Sequence, residues 1–340
     1  MSRVRLAAVV VATLLAVTAA VGLPISPLHS AGGAPGNAAA PAAPDRAAAL
    51  PSSYFTRSYY MGDAGFTAAR NLGCANGDKT GRMTLFFGAP TAVAGTYGST
   101  MWGAPNRTAE QVGAVVKEFA RGYAFCRKSS SYTLFIGVGT SNSGIDGRSE
   151  VWVEAHGRKW ASMVRNLRAW SDRYYRGRFS IYAAWDAEPS WSSYPKAEHW
   201  MHGYNSQPGR VGVHVNNSAD GCSTTSSNNA ACNNGWSQYW LWRLSWQYDP
   251  ALPMPQIYTT TGSMARQWHQ IDLFGAGRGD GIYFYGAMSQ HAACSRAGAS
   301  CPGTNNTPQA AHDQLLWYSN THPATYQNEI LSPTNINWHS

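Results

Sequence analysis

Past residue 80 the chain alternates short apolar, β-branched runs with stretches whose apolar positions recur every three or four residues. This alternation predicts a parallel sheet with crossover helices. Six strands can be named: Met83–Phe87, Tyr132–Val138, Phe179–Asp186, Arg210–Val215, Met254–Tyr258 and Ile282–Tyr285. Val112, Val115, Val116, Phe119, Tyr123 and Cys126 share one helical face, opened by a capping box of Thr108 and Gln111, so Cys126 points inward. A second helix near Val151–Tyr175 carries Trp160, Met163, Val164, Leu167 and Tyr174 on one stripe. Further helices start near Trp236, Ser263 and Pro308, the last with Thr307 as its cap and proline at its first position.

The first 53 residues break this pattern. Arg3 and Arg5 precede an uninterrupted apolar or small-residue run, Leu6–Leu23, which is the layout of a secretory signal over residues 1–30. An uncleaved anchor is the alternative, because eighteen residues just span a bilayer. Residues 31–53 are rich in Ala, Pro and Gly with almost no large side chain, and read as a flexible spacer. Residues 54–340 then form one domain, whose length suits a (β/α) barrel of TIM type. With only six strands legible, the barrel is expected to be irregular or incomplete, and an open doubly wound α/β sheet is the structural alternative.

Composition narrows the setting. Charged residues make up 13% of the chain, about half the usual share, while 14 Trp, 18 Tyr and 10 Phe supply ample core, so disorder of the whole is excluded. Loss of Arg3 and Arg5 with the signal leaves 24 basic against 18 acidic residues, a charge of +6. The arginines are scattered, which excludes a nucleic-acid partner and leaves only weak attraction to anionic wall polymers. Six cysteines in an exported chain imply three disulfides, and local closure favours Cys74–Cys126, Cys222–Cys232 and Cys294–Cys301. The loops Ala89–Arg107, Asn217–Asn234 and Ala287–Thr307 each follow a strand and precede a helix. Such βα loops line the active-site face of a barrel, and the two short disulfides staple the second and third. A secreted monomer with no stable membrane insertion after signal cleavage is expected.

The densest chemistry is Ile181-Tyr-Ala-Ala-Trp-Asp-Ala-Glu-Pro-Ser-Trp191, where two acids lie two apart at the end of an apolar strand. Period two turns Asp186 and Glu188 to one face with Tyr182, and Ile181, Ala183 and Trp185 to the helices. The same parity sends His214 and Asn216, Gln256 and Tyr258, and Tyr283 and Tyr285 toward the axis. Two like charges about 7 Å apart at an effective dielectric near 20 repel by roughly 2.4 kcal/mol, more than one pKa unit. Glu188, shielded by Trp185 or Trp191, is expected to stay protonated beside an ionised Asp186, the general-acid arrangement of glycosidic cleavage. Their alternative is a capping or salt-bridging pair at a strand end. Trp102, Trp191 and Trp236 lie in or beside the rim loops as sugar platforms, whereas Trp160, Trp170, Trp240 and Trp268 sit in helical stripes and read as core.

The body from about Arg82 to Ser340 resembles the glycoside-hydrolase-like TIM barrels of secreted actinobacterial proteins. The strand end Trp185-Asp-Ala-Glu188 is similar to the D-x-E ending of chitinase and barrel-type muramidase strands. The resemblance implies Glu188 as proton donor and Asp186 as the acid that supports it. The fuller chitinase pattern, D-x-x-D-x-D-x-E, is departed from at Ile181 and Ala184. The expectation is therefore a secreted hydrolase acting on an extracellular or cell-wall polysaccharide. Its catalytic residues are Glu188 and Asp186, and its substrate-binding residues are Tyr182, Trp191, His214, Asn216, Gln256, Tyr258 and Tyr285. The alternative is a barrel that binds such a glycan without cleaving it. No cofactor or metal is expected: His199 and His202 have H-x-x-H spacing without the H-E-x-x-H order of a zinc hydrolase, and read as a surface pair. Gly139–Ser143 is not a nucleophile elbow, and no dinucleotide or phosphate-loop motif occurs.

Overall fold

In a computed structural model the described residues are 50–339, without 63–64, 250 and 297–300. The signal and the spacer as far as residue 49 lie outside them. In chain order the strands and helices are β1 Thr56–Met61, α1 Phe66–Ala75, β2 Gly81–Phe86, β3 Ala89–Val93, β4 Thr96–Thr100, β5 Arg107–Thr108, α2 Ala109–Cys126, β6 Leu134–Ser141, α3 Glu150–Tyr174 and β7 Phe179–Asp186. There follow α4 Tyr194–Asn205, β8 Val213–Val215, α5 Gln238–Trp242, β9 Ala251–Pro253, α6 Ser263–Ala276, β10 Ala287–Ser289, α7 His291–Arg296, α8 Pro308–Ser319 and β11 Pro333–His339.

Eight strands form one parallel sheet in the order β10-β11-β1-β2-β6-β7-β8-β9. The order follows the chain round, with the last strand pairing the first, and has no reversal of the doubly wound kind. The fold is thus mixed α/β with a curled parallel sheet, consistent with a TIM-like barrel whose ring of strands is not closed. The gap lies between β9 and β10, and its cause is local: Pro253 and Pro255 have no N–H to give a ladder. Three bonds cross the seam instead, from Tyr285 N to Pro253 O (2.8 Å), Met288 N to Pro255 O (2.9 Å) and Ile257 N to Met288 O (2.8 Å).

The sheet buries its outer face against the helices. Ile181, Ala183 and Trp185 of β7 are fully buried, and Trp185 stacks on Trp200 of α4 with centroids 3.8 Å apart. Helix α2 has the expected capping box, with Gln111 N donating to Thr108 Oγ1 and Thr108 N to Gln111 Oε1. Helices α6 and α8 begin at Ser263 and Pro308, as the pattern predicts. Helix α1 reaches α2 at Gly73 and Gly122, where any β-carbon would overlap the facing backbone, and Cys74–Cys126 joins them. All three expected disulfides are present, with Cα separations of 4.9, 4.2 and 5.9 Å.

Four expectations are corrected. The run Met254–Tyr258 makes only an isolated bridge at Gln256, β9 lying three residues earlier. The run Ile282–Tyr285 is not a strand: Ile282 N bonds Asp272 Oδ1 and Phe284 N bonds Gln327 Oε1, so side chains take the place of a ladder. The segment Ala89–Arg107 is not a plain loop but folds into the antiparallel sheet β3-β4-β5. Its two-residue turn has Ala94 and Gly95 at φ 48° and 75°, the left-handed pair a tight hairpin requires. Trp236 is 1% exposed and donates from Nε1 to Ser192 O (2.8 Å), so it packs and offers no platform.

Buried His156 of α3 ties this hairpin to the body. Trp200 Nε1 donates to its Nδ1 (3.0 Å), which leaves the proton on Nε2 to donate to Gly98 O (2.9 Å). Burial pushes the imidazole down to about 4, so it stays neutral.

Candidate active site

Asp186 ends β7 with its side chain turned inward, 1% exposed. Beyond it the chain is held extended by side-chain amides in place of a neighbouring strand. Ala187 N donates to Asn217 Oδ1 (2.9 Å), and Glu188 N donates to Asn142 Oδ1 (3.0 Å). Asn142 Nδ2 returns a bond to Glu188 O (2.9 Å) and another to Ser192 Oγ (2.7 Å). The period-two register therefore persists past the strand, and Glu188, half-buried, stays on the face of Asp186.

Gln256 joins the two acids. Its Nε2 donates to Asp186 Oδ1 at 2.9 Å, Glu188 Oε1 at 2.7 Å and Asn216 O at 3.1 Å. The 2.9 and 2.7 Å legs place the two carboxylate oxygens no more than 5.6 Å apart. At that distance two charges in an effective dielectric near 20 repel by at least about 3 kcal/mol. Burial and, next, Asp220 push Glu188 up to about 8, against the opposing Gln256 bond. Burial and then the charge of Glu188 hold Asp186 well above the usual carboxylate range. The pair therefore carries protons through neutral pH. Where an ionised Asp186 was expected, burial pushes both acids toward their protonated forms, Asp186 lying the deeper of the two.

Aromatic rings stand beside the acids. Tyr60, at the end of β1, stacks on Phe86 (5.3 Å) and meets Trp102 edge-on (5.2 Å) and Trp338 (5.0 Å), while Trp102 and Trp338 touch at 5.6 Å. Burial first, then the nearby acids, raise the Tyr60 phenol, and burial, Tyr60 and the acids raise that of Tyr258. Both hydroxyls therefore stay protonated at neutral pH.

Of the residues expected from sequence, the structure brings Asp186, Glu188, Gln256 and Tyr258 together, with half-buried Trp191 joined by its backbone N–H to Glu188 O (3.0 Å). Asn216 lies beneath them, its amide used by Met254 O (3.4 Å), Met288 Sδ (2.9 Å) and Thr84 Oγ1 (3.5 Å). His214, Tyr182 and Tyr285 belong to a different cluster. His214 stacks on Tyr182 (5.3 Å) and bonds Arg82 Nη1 (3.2 Å), and Arg82 lies 4.9 Å from the rings of Phe135 and Tyr285. Arg82, Phe135 and Tyr182 stand in the first half of their strands, so this layer fills the interior away from the acids. Burial and then Arg82 hold the His214 imidazole well below its ordinary value.

Five contributors went unread in the sequence: Asn142, Asn217, Asp220, Tyr60 and Trp338. Asp220 had a signal, as a rare acid in an expected rim loop, two residues before stapled Cys222. Asn142 and Asn217 follow strand ends by one and two residues, and that position was their signal. His199 and His202 lie 3.3–3.6 Å from Glu150 and Glu154, a pairing between α3 and α4. Among the described residues no group of His, Cys, Asp or Glu is arranged to hold a metal ion, and no helix is long and apolar enough to cross a membrane. Comparison with known proteins finds no matching family model and no matching curated protein.

Proposed function

We propose that this is a secreted glycoside hydrolase of TIM-barrel type that cleaves glycosidic bonds in an extracellular or cell-wall polysaccharide. The observation that carries the reading is the proton-holding pair Asp186–Glu188 at the C-terminal edge of a curled parallel sheet, where such folds keep their chemistry. Glu188, half-open to solvent with a pKa of about 8, is the proton donor to the leaving oxygen. Asp186 sits behind it, and Gln256 fixes the spacing of the two carboxyls. Asp220, on a separate stapled loop, is the remaining carboxylate whose charge reaches both, and would stabilise positive charge on the sugar ring. Tyr60, Trp102, Trp191 and Trp338 offer ring faces to pyranose C–H bonds. Three disulfides agree with the exported setting.

A second reading is a glycan-binding barrel without turnover. It is favoured by Ile181 and Ala184, which stand where the chitinase pattern has acids. Incubating the protein with a panel of wall and extracellular polysaccharides separates the two: new reducing ends support hydrolysis, and retention without new ends supports binding alone.

A further inference from the structure

A wide cleft lies away from the acids. About 620 Å³ of space opens among Arg243, Trp246, Tyr248, Leu252, Asp280 and Tyr285, within the roughly 300–1,000 Å³ of small-ligand sites. Leu252 lies in β9 and Tyr285 just before β10, so the cleft is at the N-terminal edge of the sheet. Gln256, which touches the acids, is four residues further on, roughly 13 Å of extended chain.

Two features mark the cleft as built. Residues Arg243–Gln247 form a π-helical turn continuing α5, a rare geometry frequent at functional sites. The side chains are also pinned by their polar atoms. Trp246 Nε1 donates to Asp280 Oδ1 (2.7 Å), Gln247 Nε2 to Asp280 Oδ2 (3.4 Å), and Tyr248 OH to Glu198 Oε1 (2.7 Å). The ring of Trp246 packs half-buried against the core but has no stacking partner among the described residues. Among the described residues every tryptophan except Trp191 and Trp246 packs against another aromatic or imidazole ring. One of these two is beside the acids, and the other lines this cleft, with Tyr283 39% exposed near Tyr285.

The charges select the ligand class. Arg243 is balanced by Glu198 (3.2 Å) and donates to Tyr239 OH (3.0 Å), while Asp280 is met by Trp246 and Gln247. An ion gains little from those paired groups, and the third charged residue of the lining, Asp249, is exposed to solvent, which screens it. A neutral, hydroxyl-rich ring that stacks on indole and phenol faces and bonds to their polar edges gains most. We propose that this cleft is a second, non-catalytic site for a neutral glycan segment, holding the polymer at the edge of the sheet opposite the acids. The ligand class rests on the carbohydrate reading above, but the site itself does not depend on turnover.

The test is calorimetric titration of the full chain carrying Glu188→Gln with hexasaccharides of β-1,4-linked glucose, N-acetylglucosamine and xylose. At least one is expected to bind, and adding Trp246→Ala is expected to weaken a binding component by tenfold or more. Trp246→Leu, which keeps apolar volume and is checked by its unchanged melting temperature, is expected to do the same. No binding by any of the three, or isotherms indifferent to both Trp246 variants, overturns the proposal. If the wild type releases no reducing ends yet this component persists, hydrolysis fails and the second site stands. Hydrolysis with indifferent isotherms overturns the second site alone.

Discussion

Gln256→Leu isolates the contact that joins the two acids. Leucine keeps much of the volume but removes the Nε2 donor 2.7 Å from Glu188 Oε1 and 2.9 Å from Asp186 Oδ1. A hydrogen bond to an ionised carboxylate contributes about 1.5–3 kcal/mol and one to a neutral acid about 0.5–1.5. The difference, about 1.4 kcal/mol, corresponds to one pKa unit. The Gln256 bond lowers both acids, so its loss raises them. Glu188 should move from about 8 to about 9. Carbon-13 NMR titration of glutamate carboxyls reads this without any need for activity. In the pH profile of reducing-end release, the alkaline limb should shift upward by the same unit. A Glu188 titration that is unchanged, or moves down, refutes the assignment of Gln256 as the donor that stabilises the ionised pair.

Three further outcomes follow from the same structure. Asp272 is fully buried, with Oδ1 bonded to Ile282 N (2.7 Å) and Oδ2 unpartnered, and burial pushes it up to about 8. A folded pKa above the unfolded one gives stability that is complete in acid and lost as pH rises from about 4 to 8, at about 1.4 kcal/mol per unit. Urea melts across this range should therefore show the wild type losing about 5 kcal/mol relative to Asp272→Asn, and parallel curves contradict this. Replacing Cys222 and Cys232 together by serine opens a ten-residue closure, and should lower unfolding stability by about 3 kcal/mol in the chain-entropy model. The same double variant frees the loop bearing Asp220, so reducing-end release should fall although Glu188 and Asp186 remain, and full retention argues against a role for Asp220.

The sequence was most legible where a segment is buried against helices. Strand β7 was read to its exact ends because Ile181, Ala183 and Trp185 alternate with smaller or polar residues and all three pack outward. Helix α2 was legible from its capping box and stripe. Strands β1 and β11 were missed because their inward faces mix polar with apolar residues, Ser58 with Tyr60 and Thr334 with Ile336 and Trp338. Ser58 Oγ and Thr334 Oγ1 bond each other at 3.0 Å inside the sheet, which breaks the apolar run of that face. The seam was misread because Pro253 and Pro255 displace the ladder from the apolar run that follows. In the site, parity brought Asp186, Glu188 and Gln256 together, but it cannot say how far along the axis a residue sits. His214, Tyr182 and Tyr285 accordingly faced inward yet fell in the layer around Arg82. Asn142 and Asn217 act through backbone groups of the extended Asp186–Glu188 segment, a role that leaves no periodic trace.

The central claim is that Glu188 is the proton donor to a glycosidic oxygen, and one comparison meets it directly. Wild type and Glu188→Gln, matched in melting temperature at pH 6, are assayed for reducing ends on whichever polysaccharide the wild type cleaves. The glutamine variant should lose at least about a hundredfold in rate, as expected for removal of a general acid, while still retaining the polymer. Equal rates in the two proteins contradict the account.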